Sequence, residues 1–244
     1  MVSLIVAFQF LTIIPTLIRR PFTPQEMGRA VGWFPLVGLA LGALLYGIHQ
    51  AARLLFPLSI AAALAIFVWV FLTRAFHLDG LMDTCDGIFG GFTPERRLAI
   101  MRDSQIGAFG VTAGIIILLL KYAALASSAN PGLALVMAAS LGRWTSPLLI
   151  VSIPYAREQG TGYAMKKNAA WQQALLATII TASAAWFLSG VQGILLMLFA
   201  AMIAFGMARY IMRLLPGLTG DTYGAITEIT ELLVLLFYAA QLSF

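Results

Sequence analysis

The feature that most constrains this chain is a block of residues, 168–208, that contains no charged side chain. The block is about twice as long as the roughly 20 residues that an α-helix needs to cross a bilayer. Over the whole chain 61% of the residues are hydrophobic and 10% are charged, whereas a soluble domain carries about 25% charged residues. The sequence therefore predicts an all-α, polytopic integral membrane bundle.

We expect about seven transmembrane helices, with a range of six to eight, in a single membrane-embedded domain that covers 1–244. Uncharged or nearly uncharged segments of spanning length lie at 30–48, 54–73, 104–126, 132–153, 168–188, 190–208 and 222–244. We divide the long block at Ser189-Gly190, because a helical hairpin needs a turn there. Residues 1–18 are either an eighth span or an apolar segment in the interface, and Pro15 leaves both alternatives open.

Basic residues are concentrated in alternate loops of this arrangement. Loops 19–29, 74–103, 154–167 and 209–221 hold nearly all of them, whereas the opposite loops hold only Arg53. By the positive-inside rule these four loops face the cytoplasm, which predicts a multi-pass protein of the cytoplasmic (inner) membrane with its acidic residues on or near the cytoplasmic side. Membrane orientation thus explains the net charge of +5, and no basic tract indicates a nucleic-acid partner.

The longest of these loops carries an acidic run that reads His77-Leu-Asp-Gly-Leu-Met-Asp-Thr-Cys-Asp-Gly. Asp79, Asp83 and Asp86 are spaced i, i+4, i+7, so a helix would bring them to one face. Three like charges beside an apolar segment repel one another unless a cation lies between them. All-oxygen ligands suit Mg²⁺, with Mn²⁺ as the alternative. The competing interpretation is a solvated juxtamembrane loop with Asp-Gly turns.

Other residues of this region have assignable roles. Gly80 and Gly87 lack side chains, so we expect them to let a ligand approach the carboxylates closely. His77 is a candidate metal ligand or general base, and a hydrogen-bonded helix end is the alternative. Thr93 and Pro94 have the pattern of an N-cap followed by the first helical residue, which predicts a short helix ending near Met101.

A second group of candidates follows in Ile100-Met-Arg-Asp-Ser. Asp103 is a candidate catalytic residue, as a general base or further metal ligand, and an N-cap of the next span is the alternative. Arg102 and Ser104 are candidates for binding substrate, since arginine neutralises phosphate charge.

The third group lies at the start of the last span, where Asp221, Glu228 and Glu231 share roughly one helical face. Intramembrane carboxylates are functional candidates by default. We interpret Glu228 as a candidate catalytic residue and the other two as substrate-binding candidates. The open alternatives are a second cation site, ion pairs with Arg209 or Arg213, and an N-cap role for Asp221.

Two isolated cations complete the set of candidates for binding substrate. Arg143 lies in the middle of a span, so it needs an anionic partner or an anionic ligand. Arg157 lies in a loop rich in turn residues that is suited to hold a phosphate or a ribose. The glycine pairs Gly28-x-x-x-Gly32 and Gly38-x-x-x-Gly42 indicate close packing between helices.

The acidic run, together with Arg97, Ile100-Met-Arg-Asp-Ser and Gly107-Ala-Phe-Gly, resembles the cobalamin synthase family, the adenosylcobinamide-GDP ribazoletransferases. The resemblance extends to Phe34-Pro-Leu-Val-Gly and to Gly217-Leu-Thr-Gly-Asp-Thr-Tyr-Gly-Ala, so that it covers most of the chain. Met82 and Cys85 stand where small residues are common in the family, and neither is a presumed ligand.

This resemblance implies a Mg²⁺-dependent membrane transferase. Its substrates would be adenosylcobinamide-GDP and α-ribazole or α-ribazole 5′-phosphate, and its products GMP and adenosylcobalamin or the 5′-phosphate of adenosylcobalamin. Asp79, Asp83 and Asp86 would hold the ion, and Asp103 or Glu228 would accept the hydroxyl proton. The lipid bilayer is the remaining expected partner, and the sequence is compatible with a homo-oligomer.

Two rival functions are considered. Asp83-Thr-Cys-Asp-Gly is similar to the start of the CDP-alcohol phosphatidyltransferase motif, which would make the protein a lipid synthase. However, Gly90 and Gly91 stand where that motif continues with Ala-Arg, and its later Asp-x-x-x-Asp is missing. A cation-coupled transporter is the other rival, although the acids cluster at one face rather than at the midplane and no internal repeat is apparent.

Overall fold

The computed structural model describes residues 2–13 and 17–240. Within these residues the chain is helical, with one isolated β-bridge between Tyr155 and Leu218 and no strand. The all-α prediction is therefore confirmed. The helices are α1 (Val2–Leu11), α2 (Pro24–Ala30), α3 (Phe34–Arg53), α4 (Leu58–Leu72), α5 (Phe76–Gly90), α6 (Pro94–Ile100), α7 (Ala108–Ser127), α8 (Pro131–Ser152), α9 (Thr161–Asn168), α10 (Trp171–Ile211) and α11 (Gly220–Ala240).

Five of the described helices are long and apolar enough to cross a membrane, where α2 and α3 count as one continuous helix. The pair α4 and α5, joined by a bend of 84°, brings the number to six if it forms one broken span. These spans confirm a polytopic helical membrane bundle. At about 15 Å in length, α1 is too short to be a span of its own.

The longest helix, α10, folds back on itself at Gly190, whose backbone is non-helical with φ 56°. A Cβ atom added to Gly193 would collide with the carbonyl oxygen of Ala185. In a straight helix these two residues would be about 12 Å apart along the axis. The turn predicted at Ser189-Gly190 is therefore present, and the two arms of α10 provide two of the predicted crossings.

The four segments that are rich in basic residues lie together at one end of the bundle. The Arg97 guanidinium donates to the Leu214 carbonyl at 3.1 Å, which joins the segment after α5 to the one before α11. Gly28 of α2 lies against the backbone of Asn168 at the end of α9. The contacts agree with the prediction that these segments share one side of the membrane.

The segment 74–103, which was expected as an acidic-motif loop on the cytoplasmic side, is largely helical and forms α5 and α6. The corner between α4 and α5 is made by Arg74 and Ala75, whose φ angles are 55° and 54°. This left-handed conformation costs residues other than glycine about 1–2 kcal/mol each. The Arg74 guanidinium donates to the Phe10 carbonyl at 2.9 Å, and the Ala75 N–H donates to the Val70 carbonyl at 2.8 Å. These contacts hold the corner that turns α5 across the end of the bundle.

The short helix expected after Thr93 is confirmed as α6. The Thr93 hydroxyl accepts from the Arg96 N–H at 3.2 Å, and Pro94 is the first helical residue. Two predictions fall partly outside the described residues: Pro15 in the N-terminal segment, and 241–244 at the end of the last predicted span.

The packing of α3 on α8 depends on glycine, as the spacing of Gly38 and Gly42 predicts. Gly38 lies directly against the Ala139 carbonyl, and a Cβ atom at Gly42 would be 2.8 Å from the Leu135 carbonyl oxygen. The two backbones therefore touch along this stripe. Small residues that allow such an approach are typical of helix interfaces in membranes.

We expect Gly38→Ala to destabilise the protein by about 1–3 kcal/mol, because the new methyl group forces α3 away from α8. Gly47→Ala is the matched control on the same helix, since a Cβ atom there meets nothing within 4 Å. The control should leave stability unchanged or raise it slightly. Thermal unfolding of the two variants in detergent measures the difference, and equal unfolding temperatures would contradict the packing described for α3 and α8.

Candidate active site

A cavity of about 240 Å³ lies at the end of the bundle where the basic segments meet. Its mouth is polar and includes Asp79, Arg157 and Asp221, with the glycines at the start of α9. Its depth is apolar and largely aromatic. The buried lining residues include Leu11, Phe34, His77, Ile150, Met165 and Tyr223, whereas Phe10 is half-buried and Phe76 is exposed.

Two helices begin at the mouth of this cavity. Gly160, with φ 96°, precedes α9, and Gly220 is the first residue of α11. Helix N-termini present free N–H groups and a partial positive charge, and they are suited to bind phosphate. The mouth thus combines the N-terminus of α9, which has no side-chain cap, and that of α11, which Thr219 caps, with the guanidinium of Arg157.

Asp221 belongs to this mouth and does not cap α11. Its Oδ2 accepts from the Arg157 guanidinium at 2.8 Å. The cap is Thr219, whose hydroxyl accepts from the Thr222 N–H at 3.2 Å, while the Thr222 hydroxyl accepts from the Thr219 N–H at 2.8 Å. The alternative N-cap role for Asp221 is therefore wrong.

The three aspartates of the acidic run all lie on α5, in different surroundings. Asp79 is exposed at the mouth, Asp83 is half-buried and Asp86 is buried. The two carboxylate oxygens of Asp86 accept from the N–H groups of Gly107 and Gly110 at 2.7 and 2.8 Å. Asp86 therefore binds the N-terminus of α7 and fixes that helix against α5.

A fourth carboxylate joins this cluster from α11. A Cβ atom on Gly80 would be 2.8 Å from the carbonyl oxygen of Asp221, so α5 and α11 touch at this point. The expectation that Gly80 and Gly87 admit a ligand is corrected, because Gly80 packs on Asp221 and Gly87 packs on Met101 and Arg97. The charges of Asp79, Asp221 and Asp86 all act on Asp83, so the four carboxylates share one electrostatic environment.

The donor set of Asp79, Asp83 and Asp221 fits a hard divalent cation. Each supplies carboxylate oxygens, the ligands that Mg²⁺ prefers, and Asp79 and Asp221 line the polar mouth. Among the described residues, one group of three potential ligand atoms lies within 4.8 Å of one another, namely those of His77, Glu228 and Glu231. The oxygens of the three aspartates do not meet this distance. Both glutamates are buried with protein cations as partners, whereas Asp79 and Asp221 line the cavity and only Asp221 has such a partner, so we keep the aspartates as the candidate ligands.

These cations belong to a buried ion-pair network between α7, α8 and α11. Lys121 Nζ donates to Glu228 Oε2 at 2.5 Å and also pairs with Glu231. Arg143 pairs with Glu231 from the other side. All four side chains are buried, and the two positive charges balance the two negative ones. The network lies deep in the bundle, since Glu231 is about 16 Å along α11 from its start.

The network answers several questions that the sequence left open. Arg143 was expected to have an anionic partner or an anionic ligand and was a candidate for binding substrate. In the structure it pairs with Glu231 and does not line the cavity, and its role in substrate binding stays a prediction. The proposed pairing of the glutamates with Arg209 or Arg213 is wrong. Lys121 is a functional residue of this network that was not predicted, although a lysine inside an apolar segment is as strong a signal as Arg143.

His77 connects this network to the cavity. Its Nδ1 lies 3.4 Å from Nη2 of Arg143, and the ring also lines the cavity. A guanidinium only donates hydrogen bonds, so Nδ1 accepts in this contact. A neutral His77 ring therefore carries its hydrogen on Nε2, and that nitrogen is a donor rather than a base.

The remaining candidates lie outside the cavity. Arg102, Asp103 and Ser104 are exposed in the turn between α6 and α7. The Asp103 carboxylate accepts from the Gln105 N–H at 3.0 Å, and Gly107 is the residue that precedes α7, so Asp103 is not its N-cap. The turn lies near the mouth, because the preceding carbonyl of Met101 is 3.5 Å from the Arg157 guanidinium. Substrate contacts by this turn stay predictions.

Known proteins are similar to this chain over almost its whole length. The profile of the family described as cobalamin-5-phosphate synthase matches residues 3–239. Three similar curated proteins are all named adenosylcobinamide-GDP ribazoletransferase. The relative from Pseudomonas paraeruginosa is 42% identical over 97% of both chains, that from Stutzerimonas stutzeri 40% over 99% of both, and that from Brevibacillus brevis 37% over 94% of both.

No solved structure matches the chain. The family match spans nearly every described helix, and the relatives match over nearly their full length as well as that of this chain. The chain belongs to the cobalamin-5-phosphate synthase family, and it is a membrane transferase of cobalamin biosynthesis.

Proposed function

We propose that this protein transfers the cobinamide phosphate group of adenosylcobinamide-GDP to α-ribazole or α-ribazole 5′-phosphate. The products are GMP and adenosylcobalamin or its 5′-phosphate. The observation that carries this proposal is the cavity mouth, which joins Arg157 and two helix N-termini to a cluster of carboxylates. That combination suits a diphosphate, since it offers both donors for phosphate oxygens and ligands for a divalent cation.

The reaction is a phosphoryl transfer between two oxygens. A ribose hydroxyl oxygen of the acceptor forms a bond to the phosphorus that carries cobinamide. The bond from that phosphorus to the bridging oxygen breaks, and GMP leaves with the electron pair. The hydroxyl proton passes to a carboxylate of the acidic cluster, of which Asp79 lies at the mouth. Such a reaction needs mainly positioning and neutralisation of charge.

The residues of the mouth supply both requirements. Arg157 is held by Asp221 in a position to bind a phosphate oxygen, and the residues at the start of α9 line the same cavity. His77 offers an N–H donor from the depth of the cavity. The glutamates of the buried network do not line the cavity, so we assign them to folding rather than to proton transfer.

Asp79, Asp83 and Asp221 are the residues that would hold Mg²⁺, or Mn²⁺ in its place. The bound ion would act as a Lewis acid on the diphosphate. Asp86 completes the sequence motif but has both oxygens occupied by backbone N–H groups of α7. We therefore assign Asp86 to holding α5 against α7. The third candidate ligand is then Asp221 of α11.

We further propose that this end of the bundle faces the cytoplasm in the bacterial or archaeal cytoplasmic membrane. The concentration of basic residues at the same end supports this orientation. The half-enclosed cavity also limits access of water, which would otherwise hydrolyse the activated corrinoid.

The test is release of GMP by the purified protein in detergent. With adenosylcobinamide-GDP, α-ribazole and Mg²⁺, we expect GMP and the joined corrinoid in equal amounts, and EDTA should abolish both. Transfer that continues in EDTA would contradict the metal site. Turnover of CDP-linked lipid, or cation-driven uptake without nucleotide release, would instead contradict the proposed reaction.

A further inference from the structure

The cavity contains an aromatic chamber built by side chains of four helices, namely α1, α3, α5 and α11. Phe10 of α1 packs against Phe34 of α3 with ring centroids 6.0 Å apart, and edge-to-face against Phe76 of α5 at 5.0 Å. Tyr223 of α11 stacks against Tyr155, which lies between α8 and α9, with ring centroids 6.1 Å apart. Aromatic walls of this kind favour a flat apolar ring system.

Burial separates this chamber from the mouth. Phe34 and Tyr223 are 3% and 6% exposed, whereas Phe76 is 40% exposed, and Gln159, Gly160 and Thr161 at the mouth are exposed as well. A molecule that enters from the mouth therefore places its apolar part in the buried chamber and keeps its polar part at the mouth. The volume of about 240 Å³ suits a heterocycle with a pentose and is far too small for a corrin ring.

Tyr223 adds a specific polar requirement to the chamber. Its hydroxyl oxygen is buried and has no hydrogen-bond partner among the described residues. A buried unpaired hydroxyl is unfavourable, so a ligand that accepts a hydrogen bond at this position would relieve it. The Ser146 and Thr227 hydroxyls lie 3.4 Å from each other, and Tyr223 takes no part in that hydrogen bond.

We propose that this chamber is the subsite for the base of the acceptor, with Tyr223 donating a hydrogen bond to the unsubstituted ring nitrogen. The inference rests on the proposed function, since α-ribazole carries a flat two-ring base with one such nitrogen. The ribose then points to the mouth, where the attacking hydroxyl meets the diphosphate. The corrinoid and its GDP stay outside, against Arg157 and the acidic cluster. The short helix α1 thereby becomes a wall of the active site.

The experiment compares α-ribazole with the α-riboside of 5,6-dimethylindole, in which a carbon replaces the unsubstituted ring nitrogen. For the wild-type protein we expect the indole riboside to have a KM about 3- to 10-fold higher than α-ribazole. For Tyr223→Phe we expect the two ribosides to have equal KM values. The KM for adenosylcobinamide-GDP should be the same in both proteins.

A second variant tests the aromatic wall. Phe34→Leu should raise the KM for both ribosides by about 10-fold, because an aromatic contact is lost. The matched control is Phe67→Ala on α4, which is 65% exposed and outside the cavity, and which should leave both KM values unchanged. Should Phe34→Leu fail to fold, the comparison with Tyr223→Phe stands alone.

The outcomes separate the two proposals. Absence of GMP release with α-ribazole would contradict the proposed function. Normal GMP release without discrimination between the ribosides, or with the same discrimination in Tyr223→Phe, would overturn the subsite and leave the function intact.

Discussion

Replacing Asp83 by asparagine is expected to lower kcat about 10³-fold, with the protein folded and still in the membrane. The amide has the size of the carboxylate but no charge, so it weakens the grip of Asp79, Asp83 and Asp221 on a divalent ion. Stabilisation of the diphosphate by such an ion is worth several kcal/mol, and about 4 kcal/mol corresponds to this loss of rate. GMP release at saturating substrate measures it.

Asp103→Asn is the matched control for this substitution. Asp103 is an exposed aspartate in the turn after α6 and lies outside the cavity, so we expect activity within about twofold of wild type. A fully active Asp83→Asn protein would remove the acidic cluster from the mechanism. Loss of activity in Asp103→Asn alone would instead restore Asp103 as the catalytic residue that sequence analysis considered.

Replacing Glu231 by leucine should destabilise the protein by about 3–5 kcal/mol. The change leaves Lys121 and Arg143 buried with only Glu228 as counter-charge, and an uncompensated buried charge is strongly unfavourable. We expect a much lower yield of folded protein and a lower unfolding temperature in detergent.

A double variant distinguishes charge imbalance from the loss of a single contact. Arg143→Met combined with Glu231→Leu removes one positive and one negative charge, so the network stays neutral through Lys121 and Glu228. We expect the double variant to be more stable than Glu231→Leu alone. The single variant Arg143→Met completes the comparison. If the double variant is less stable than wild type by the sum of the effects of Arg143→Met and Glu231→Leu, the ion pair does not contribute the stability attributed to it.

Much of the bundle follows from local sequence signals. The turn at Gly190, the short helix that begins at Pro94 and the glycine contact at Gly38 all have short-range causes, and each was predicted. The corner at Arg74 and Ala75 has no such signal, because residues with side chains seldom adopt left-handed angles. The segment after this corner was therefore assigned to a loop, although its aspartate spacing already favoured a helix.

The candidate site was predictable in its residue types but not in its pairings. Asp79 and Asp83 were found from a short motif. The contribution of Asp221 was not, because its approach to Gly80 joins residues far apart in the chain. In the same way, nothing near Asp86 in sequence indicates that its carboxylate binds the start of α7. Long-range contacts of this kind depend on how the helices pack, which local spacing does not encode.

The aromatic chamber was also missed. Phe10, Phe34 and Phe76 are single apolar residues within apolar helices, and such residues are common in any membrane bundle. Only the packing of α1 against the corner between α4 and α5 brings their rings to one cavity.

Binding of Mn²⁺, followed by the loss of its free electron paramagnetic resonance signal, tests the central claim most directly. The purified wild-type protein should bind the ion saturably without substrate, and His77→Gln should bind it equally well. Asp83→Asn should lose most of the binding. Undiminished binding by Asp83→Asn, or loss confined to His77→Gln, would contradict the account and move the ion to the group formed by His77, Glu228 and Glu231.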